Sequence, residues 1–290
     1  MSKKGFSHRG PDLICAGSPK SATTTIFESI LEVGLAKQTV KEFNYFSKDC
    51  VNKTNYYGMA VDRNLFEYEV EMSKKPSTLN LDFSPSYFAC PESAAMIKSA
   101  YPEVKLLFVI RDPVSRAISH FNMDKRLGLV PHDLSEIIND KIDPFYSEYI
   151  TNSKIGENLT RYFNHFQPDS IIVLTVDDMI SDFVGSMSKI LSHLGINKKY
   201  VFTEQRRNQN LAYRNKILRK MATNDFFKMI YRILPAKNLL NLFIYKSKED
   251  APKQQENEKL DQILLDDSLM YSKINRIEIE LRSEYLSQLL

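Results

Sequence analysis

The sequence lacks long hydrophobic runs. No uninterrupted apolar span of about 18 residues occurs, and residues 1–10 are basic and polar, without the apolar stretch of an export signal. We therefore expect a cytoplasmic protein with no transmembrane segment. Because 43% of its 290 residues are hydrophobic, the chain has enough apolar material to form one large α/β domain.

The chain also lacks a strong excess of charge of either sign. Its 39 basic and 36 acidic residues leave a formal net charge of +3. This balance argues against the broad basic field of a general nucleic-acid binder, although it allows a local basic pocket. We therefore expect no nucleic acid among its partners.

Cysteine is scarce and has no recognisable pattern. Cys15, Cys50 and Cys90 are widely spaced and form neither a CxxC pair nor a set with zinc-ligand spacing. The five histidines are scattered and include no HExxH pattern. The sequence thus predicts reduced, partly buried thiols, no disulfide framework and no metal site.

Short apolar runs alternate with helical patterns over the first two thirds of the chain. Buried strands are predicted at residues 12–17, 78–83, 105–110 and 170–176. Helices are predicted at residues 21–34, 91–100, 114–125, 155–166 and 179–194. This alternation indicates an α/β fold in which a parallel sheet is flanked by helices in three layers.

The strand pattern is lost after the last of these helices. Residues 217–244 and 260–290 have helical periodicity, and the polar stretch 246–258 is predicted to be a linker between them. We therefore predict an α/β core over residues 1–200. Residues 201–290 are predicted to form a basic loop and a helical C-terminal extension of the same domain.

An anion-binding pattern follows the first predicted strand. Residues 17–25 (GSPKSATTT) combine a tight turn, a lysine and a run of hydroxyls in front of a helix. The unpaired N–H groups and the dipole of a helix N-terminus favour anions at such a place. The segment is not a Walker A loop, because its lysine precedes the hydroxyls and a second glycine is missing. A Ser/Thr-rich helix cap is the alternative interpretation.

A second polar pattern follows the strand predicted at residues 105–110. In residues 111–120 (RDPVSRAISH), Arg111 precedes a helix on which Ser115 and Ser119 share one face. An arginine and a serine can converge on one phosphate there. The alternative is a capped amphipathic helix with a surface arginine.

Both segments, in this order, resemble those of the PAPS-dependent sulfotransferases, especially the branch of heparan sulfate sulfotransferases and their bacterial relatives. PAPS is 3′-phosphoadenosine 5′-phosphosulfate, and PAP is the product left after transfer. Residues 19–24 (PKSATT) resemble the family's PKxGTT loop, with Ala22 where glycine is usual, and residues 111–119 match RDPxxRAxS. The resemblance covers about residues 12–194 and implies a P-loop-like parallel sheet.

The resemblance also implies a nucleotide-binding set. The Lys20 loop would grip the 5′-phosphosulfate, Arg111 and Ser119 the 3′-phosphate, and a later basic loop would close the site. The residues implied are Ser18, Pro19, Lys20, Ser21, Ala22, Thr23, Thr24, Arg111, Ser119, Arg206 and Arg207. For Arg206 and Arg207, a solvated basic turn before a helix at Leu211 is an equal alternative.

The catalytic base is implied in the same way. Residues 41–46 (KEFNYF) resemble the family's KEVHFF segment, which gives Glu42 the position of the base and puts Asn44 where histidine is common. We expect burial beside Phe43 and Phe46 to strengthen Glu42 as a base. A surface residue of an irregular segment is the alternative for Glu42.

Residues 82–88 (DFSPSYF) resemble the family's EKTPxYF element but depart from it at one position. Phe83 stands where many heparan-type enzymes have a second catalytic lysine. The charge on the transferring group must then rest more heavily on Lys20 or on another cation. The candidates are Lys41, Arg206 and Arg207.

The function that the resemblance implies is transfer of a sulfuryl group from PAPS to an acceptor hydroxyl or amine. The catalytic residues would be Glu42 and Lys20, the acceptor a saccharide or glycan, and the chemistry requires no metal. A non-catalytic PAP- or PAPS-binding module is one alternative, which Phe83 favours. A P-loop nucleotide kinase is another, against which the missing GxxxxGK[ST] pattern counts.

Overall fold

The core of this computed structural model is a parallel sheet. The structure describes residues 10–54, 61–62, 64–72, 79–127, 129–202, 211–213, 245–247 and 254–290. The strands are β1 (Leu13–Gly17), β2 (Leu81–Asp82), β3 (Lys105–Ile110) and β4 (Ile171–Thr175), in the order β2-β1-β3-β4. All three pairings are parallel, which confirms the predicted sheet.

Helices cover the sheet and extend beyond it. They are α1 (Thr23–Glu32), α2 (Lys48–Thr54), α3 (Leu65–Met72), α4 (Ser93–Ala100), α5 (Pro113–Leu127), α6 (Leu134–Asn139), α7 (Tyr146–Tyr149), α8 (Ile155–Phe163), α9 (Val176–Ser181), α10 (Phe183–His193), α11 (Gln254–Ile263), α12 (Leu265–Ile274) and α13 (Ile279–Leu289). Within the described residues, none of the helices is long and apolar enough to cross a membrane.

The two faces of the sheet have separate apolar cores. Leu107 and Val109 of β3 pack in one core with residues of α1 and α10, whereas Leu106 and Phe108 pack in the other with residues of α4, α8 and α13. Successive residues of a strand point to opposite faces, so a continuous apolar run requires cover on both sides. This confirms the three-layer α/β architecture.

The order of the strands places a crevice between β1 and β3. The chain passes from β1 to β2 on one side and then crosses to β3 on the other side. In open parallel sheets, ligands bind beyond the carboxyl ends of the strands where the order reverses in this way. Residues 17–25 and 111–120, which carry the two anion-binding patterns, begin at the carboxyl ends of β1 and β3.

The C-terminal helix α13 covers the edge strand β4. Ser283 Oγ donates to the Ile171 carbonyl at 2.6 Å, and the buried Arg282 forms a two-pronged ion pair with Asp178. Polar side chains of α13 therefore cover the free edge of β4, which would otherwise be open. The predicted helical character of residues 260–290 is confirmed, whereas the division into a core and an extension of one domain stays a prediction.

Several predicted boundaries are wrong. The helix predicted over residues 179–194 is interrupted at Asp182, whose carboxylate accepts from Gly185 N and caps a new helix. After residue 200, β5 (Leu211–Tyr213) pairs antiparallel with β6 (Tyr245–Ser247), so no helix begins at Leu211. The predicted linker 246–258 overlaps the end of β6 and the start of α11. The helix predicted at residues 217–244 lies outside the described residues.

The prediction of reduced cysteines is also wrong. Cys50 of α2 and Cys90, which precedes α4, form a disulfide with their Cα atoms 6.1 Å apart, while the third cysteine is buried and free. Both sulfurs lie near the Glu92 carboxylate, but the disulfide bond consumes the thiolates that a metal ion would require. Disulfides persist in oxidising compartments. The bond therefore counts against the predicted cytoplasmic location, which stays a prediction.

Candidate active site

The loop after β1 is tied to β3 by its serines. Ser18 donates from its backbone N to the Val109 carbonyl at 2.8 Å, and the Ser18 and Ser21 hydroxyl oxygens lie 2.7 Å apart. Both serines are almost fully buried. Of the predicted nucleotide-binding residues, these two therefore have their hydroxyls engaged in shaping the loop.

Two residues of this loop have left-handed backbone. Lys20 has φ +67° and Ala22 has φ +60°, and α1 begins directly after Ala22 at Thr23. The left-handed conformation explains why glycine is common at the position of Ala22 in the family that the loop resembles, since it costs a residue with a Cβ about 1–2 kcal/mol. Alanine has no polar side-chain atom to cap α1, so the N–H groups of its first turn are suited to an anion.

Lys20 reaches from this loop to α5. Its Nζ lies 3.2 Å from the sulfur of Met123, and burial, together with the positive charges of Arg126 and Arg111, lowers the pKa of Lys20 to about 8. The carboxylate of Asp124 acts in the opposite direction. Met123 and Asp124 were not predicted from the sequence.

Arg111 joins Lys20 from the end of β3. Its Nη1 donates to the Lys20 carbonyl at 3.4 Å, and burial lowers the pKa of Arg111 from its ordinary value. Ser119, the other predicted ligand of the 3′-phosphate, is half-buried on the following helix. Pro19 and Thr24 are likewise half-buried in the loop and at the start of α1. A lysine and an arginine thus come from the carboxyl ends of neighbouring strands β1 and β3, and the arginine contacts the backbone of the lysine.

Arg116, the second arginine of the RDPxxRAxS segment, has a structural role. It is 1% exposed, and it donates from Nε to Ser153 Oγ at 2.6 Å and from Nη2 to the carbonyls of Glu148 and Tyr149 at 2.7 Å. It therefore fastens α5 to α7 and the turn behind it. Sequence reasoning missed this role, although Arg116, His120 and Asp124 recur every four residues and so share one helix face.

His120 and Asp124 are buried on that face. Burial holds the pKa of His120 well below its usual range, so the ring is neutral at pH 7. Burial raises the pKa of Asp124 to about 7, although its Oδ2 accepts from the Tyr149 hydroxyl at 2.8 Å. One carboxyl group that titrates near neutral pH, that of Asp124, therefore lies on the α5 side of Lys20.

Glu42 lies on the other side of the loop and is not buried. Its carboxylate is 41% exposed and forms an ion pair with Lys41 at 2.7 Å, whereas Phe43 and Phe46 are buried in the core. The expectation that these rings bury Glu42 is wrong, because the backbone sends the phenylalanines inward and the carboxylate outward. Lys41 Nζ also donates to Thr23 Oγ1 at 3.4 Å, which connects the Glu42 segment to the start of α1.

The Glu42 segment is held in place by residues that follow β2. Ser84 Oγ accepts from the backbone N of both Phe43 and Asn44 at 2.9 Å, and Phe83 N donates to the Lys41 carbonyl at 3.0 Å. Asn44 has φ +54°, a conformation that asparagine tolerates, and its Oδ1 accepts from Ser86. The polar atoms of Asn44 are therefore occupied within the loop.

A buried carboxylate lies behind this segment. Asp82 is fully buried and accepts hydrogen bonds from the hydroxyls of Tyr68, Tyr87 and Ser84. Burial raises the pKa of Asp82 to about 6, and the three hydroxyl donors act against that rise. Asp82 orients Ser84, and Ser84 in turn holds the backbone next to Glu42.

Phe83 cannot supply a cation and does not face the loop. Its ring is fully buried, with its centroid 5.4 Å from that of Phe27. Among the three cations predicted as replacements for a second lysine, the described residues include Lys41 alone. Arg206 and Arg207 lie outside the described residues.

An anion-binding loop at the switch point of a parallel sheet, with an arginine from the neighbouring strand, defines a P-loop-like α/β fold suited to a phosphorylated ligand. Comparison with known families makes the class specific. The sulfotransferase domain family matches residues 10–233, and the chain belongs to that family.

Similar proteins agree with this assignment. Heparan sulfate glucosamine 3-O-sulfotransferase 3A1 of Mus musculus is 24% identical over 193 residues, which cover 65% of this chain and 46% of that protein. The chain thus spans about half the length of this relative. A sulfotransferase from Alicyclobacillus acidocaldarius has a TM-score of 0.59 at 16% identity, with 81% of this chain and 96% of that chain covered.

A mouse sulfotransferase, SULT7A1, whose structure was solved with PAP, has a similar fold. Its TM-score is 0.52 at 15% identity, and 97% of this chain and 90% of that chain are covered. These structural likenesses confirm the predicted P-loop-like fold. The family predicted from the two loops is confirmed as well.

Proposed function

We propose that the chain is a PAPS-dependent sulfotransferase that transfers a sulfuryl group to an acceptor hydroxyl or amine, with a saccharide hydroxyl as the favoured acceptor. The observation that carries the proposal is the convergence of Lys20 and Arg111 at the carboxyl ends of β1 and β3, where Arg111 Nη1 donates to the Lys20 carbonyl at 3.4 Å. Two cations beside a helix N-terminus suit a ligand with several anionic groups.

The donor lies across the carboxyl edge of the sheet in this proposal. Its 5′-phosphosulfate occupies the Lys20 loop and the first turn of α1, and its 3′-phosphate binds Arg111 and Ser119. Arg206 and Arg207, which lie outside the described residues, stay the predicted cations of the basic loop. PAP is the product that remains bound after transfer, and its complex with a protein of the same fold supports this choice of donor.

The acceptor approaches from the side of Glu42. Glu42 removes the acceptor proton while the acceptor oxygen attacks sulfur in line, and Lys20 with the loop N–H groups stabilises the charge on the leaving phosphate oxygen. Positioning and electrostatics dominate the closely related phosphoryl transfer. A sulfuryl group carries less charge than a phosphoryl group, so the proposal includes no metal.

The saccharide acceptor rests on the relatives. Several of them are heparan sulfate glucosamine 3-O-sulfotransferases, and this similarity supports a sugar hydroxyl as the acceptor. A non-catalytic module that binds PAP or PAPS stays as the alternative, because Phe83 removes a lysine that many heparan-type enzymes use.

Titration calorimetry with PAP tests the donor site. We expect wild-type protein to bind PAP and the Arg111→Ala/Ser119→Ala variant to lose at least about tenfold in affinity, because a charged hydrogen bond to the 3′-phosphate disappears. The matched control is Lys141→Ala/Ser188→Ala, which also removes one positive charge and one serine hydroxyl, but from exposed positions. Absence of PAP binding by the wild-type protein overturns the proposal.

Transfer of ³⁵S-labelled sulfate from PAPS to a panel of saccharides, including heparan sulfate fragments, tests the activity. We expect Glu42→Gln and Lys20→Ala to abolish most of the turnover found with the wild type. PAP binding without turnover on any member of a panel that also includes lipids, small metabolites and tyrosine peptides favours the non-catalytic module.

A further inference from the structure

Lys41 lies between the candidate base and the candidate donor loop. Its Nζ is 2.7 Å from Glu42 Oε1 and 3.4 Å from Thr23 Oγ1. Thr23 is the first residue of α1 and belongs to the segment to which we assign the 5′-phosphosulfate. One ammonium group therefore touches both sides of the reaction centre in the proposed function.

The backbone around Lys41 is fixed, whereas its side chain is partly exposed. Phe83 N donates to the Lys41 carbonyl at 3.0 Å, and Phe43 N and Asn44 N both donate to Ser84 Oγ. The Lys41 side chain is 19% exposed, and lysine has a flexible four-carbon stem. A change of partner thus requires rotation of the side chain alone.

The ion pair with Lys41 occupies one oxygen of the candidate base. Lys41 Nζ donates to Glu42 Oε1 at 2.7 Å, so movement of the ammonium group frees that oxygen to face the acceptor. The reaction also needs positive charge next to the migrating group, and the buried Phe83 provides none. Movement of Lys41 from Glu42 to the donor would meet both requirements.

We infer that Lys41 alternates between two anions and thereby makes the base available only when the donor is bound. This inference rests on the proposed function. Without donor, Lys41 pairs with Glu42. With PAPS, the ammonium moves past Thr23 to the sulfonate oxygens, and Glu42 is released to face the acceptor.

The acceptor oxygen forms a bond to sulfur, the bond between sulfur and the 5′-phosphate oxygen breaks, and that oxygen keeps the electron pair. The acceptor proton passes to the Glu42 carboxylate. Lys41 and Lys20 remain protonated and stabilise the negative charge on the migrating group and on the leaving oxygen.

Burial gives the reason for the change of partner. The Glu42 carboxylate is 41% exposed, so water screens its pairing with Lys41. Thr23 is 6% exposed, and ion pairs close to it act through a less polar medium. A sulfonate at the start of α1 therefore competes successfully for the ammonium group.

Calorimetry with PAP and with PAPS, in the absence of acceptor, separates this role from a structural one. PAP lacks the sulfonate, so Lys41→Met is expected to bind PAP within about twofold of the wild type but PAPS about tenfold more weakly. Lys41→Arg retains the charge and is expected to restore most of the PAPS affinity. Lys37→Met, an exposed lysine of the same segment, is the control.

Turnover at saturating PAPS completes the test. We expect kcat to fall in Lys41→Met, to recover largely in Lys41→Arg and to stay unchanged in Lys37→Met. If Lys41→Met changes the affinities for PAP and PAPS equally, or changes neither, the inference is overturned. Wild-type activity would in that case still support the proposed function. Failure of wild-type protein to bind PAP overturns both.

Discussion

The ammonium group of Lys20 lies 3.2 Å from the thioether sulfur of Met123, on the buried side of the anion-binding loop. A thioether is a weak acceptor and offsets little of the cost of burying a charge. Within the described residues, no carboxylate lies within ion-pair distance of Lys20, whereas several arginines surround it. An anionic ligand is therefore favoured beside Lys20.

The affinity for PAP should fall at alkaline pH. Burial and neighbouring arginines lower the pKa of free Lys20 to about 8, and a bound phosphate raises that pKa because it stabilises the ammonium form. Binding is then strongest below pH 8 and weakens by up to about tenfold per pH unit above it. Calorimetry in buffers of different ionisation enthalpy should detect proton uptake on binding above pH 8.

The control for this pH dependence is Lys20→Arg. A guanidinium group stays protonated over the whole range, so this variant should bind PAP with little dependence on pH between 7 and about 9.5. A wild-type affinity that stays constant over the same range would contradict the assignment of the titration to Lys20.

Loss of the Ser84 hydroxyl should destabilise the Glu42 segment. Ser84→Ala removes the hydroxyl acceptor of the Asn44 N–H group, one acceptor of the Phe43 N–H group and one donor to Asp82. We expect a loss of about 2–3 kcal/mol in the free energy of unfolding, measured with urea, together with lower kcat at unchanged PAP affinity.

The matched control is Ser86→Ala. The Ser86 hydroxyl bonds to the side chains of Asn44 and Ser47 and to neither backbone N–H group. We expect this variant to lose only about 1 kcal/mol. Equal losses of unfolding free energy in the two variants would show that the contacts of Ser84 with the backbone add no extra stability.

Local sequence predicted the parts of the fold in which local pattern and burial agree. β3 was predicted at its observed bounds, because six consecutive apolar or amphipathic residues can be buried on both faces. β2 is reduced to Leu81–Asp82, since the chain there turns to place Asp82 among three hydroxyls. That arrangement depends on Tyr68 and Tyr87, which no local pattern connects to the strand.

The candidate site was predictable where a motif specifies backbone and charge together. The Lys20 loop and Arg111 lie where their positions at strand ends imply, but the burial of Arg116 depends on α7, far along the chain. The exposure of Glu42 depends equally on distant residues, because Ser84 decides which way the segment faces. Tertiary contacts of this kind leave no spacing signal.

A glycine at position 22 should stabilise the protein. Ala22 has φ +60°, a conformation that costs an alanine about 1–2 kcal/mol and that glycine adopts without strain. Glycine also makes the unfolded chain more flexible, which offsets part of the stabilisation. We expect Ala22→Gly to raise the free energy of unfolding by about 0.5–1 kcal/mol in a urea titration and to retain PAP binding.

Ala100→Gly, at the end of α4, is the control for this substitution. Its backbone is helical, so glycine there should destabilise the protein by about 0.5–1 kcal/mol. Destabilisation by both substitutions to a similar extent would contradict the strain at Ala22.

The disulfide between Cys50 and Cys90 should be present in protein purified without reductant. The bond closes a loop with a sequence separation of 40, and a crosslink of this kind typically stabilises a protein by about 2–4 kcal/mol. In denaturant, a maleimide should label Cys15 alone, and all three cysteines should react only after reduction.

Reduction should also lower the melting temperature of the wild type, whereas the Cys50→Ser/Cys90→Ser variant, which lacks the bond, should not respond to reductant. Labelling of three thiols without reductant would contradict the bond and would remove the argument against a cytoplasmic location.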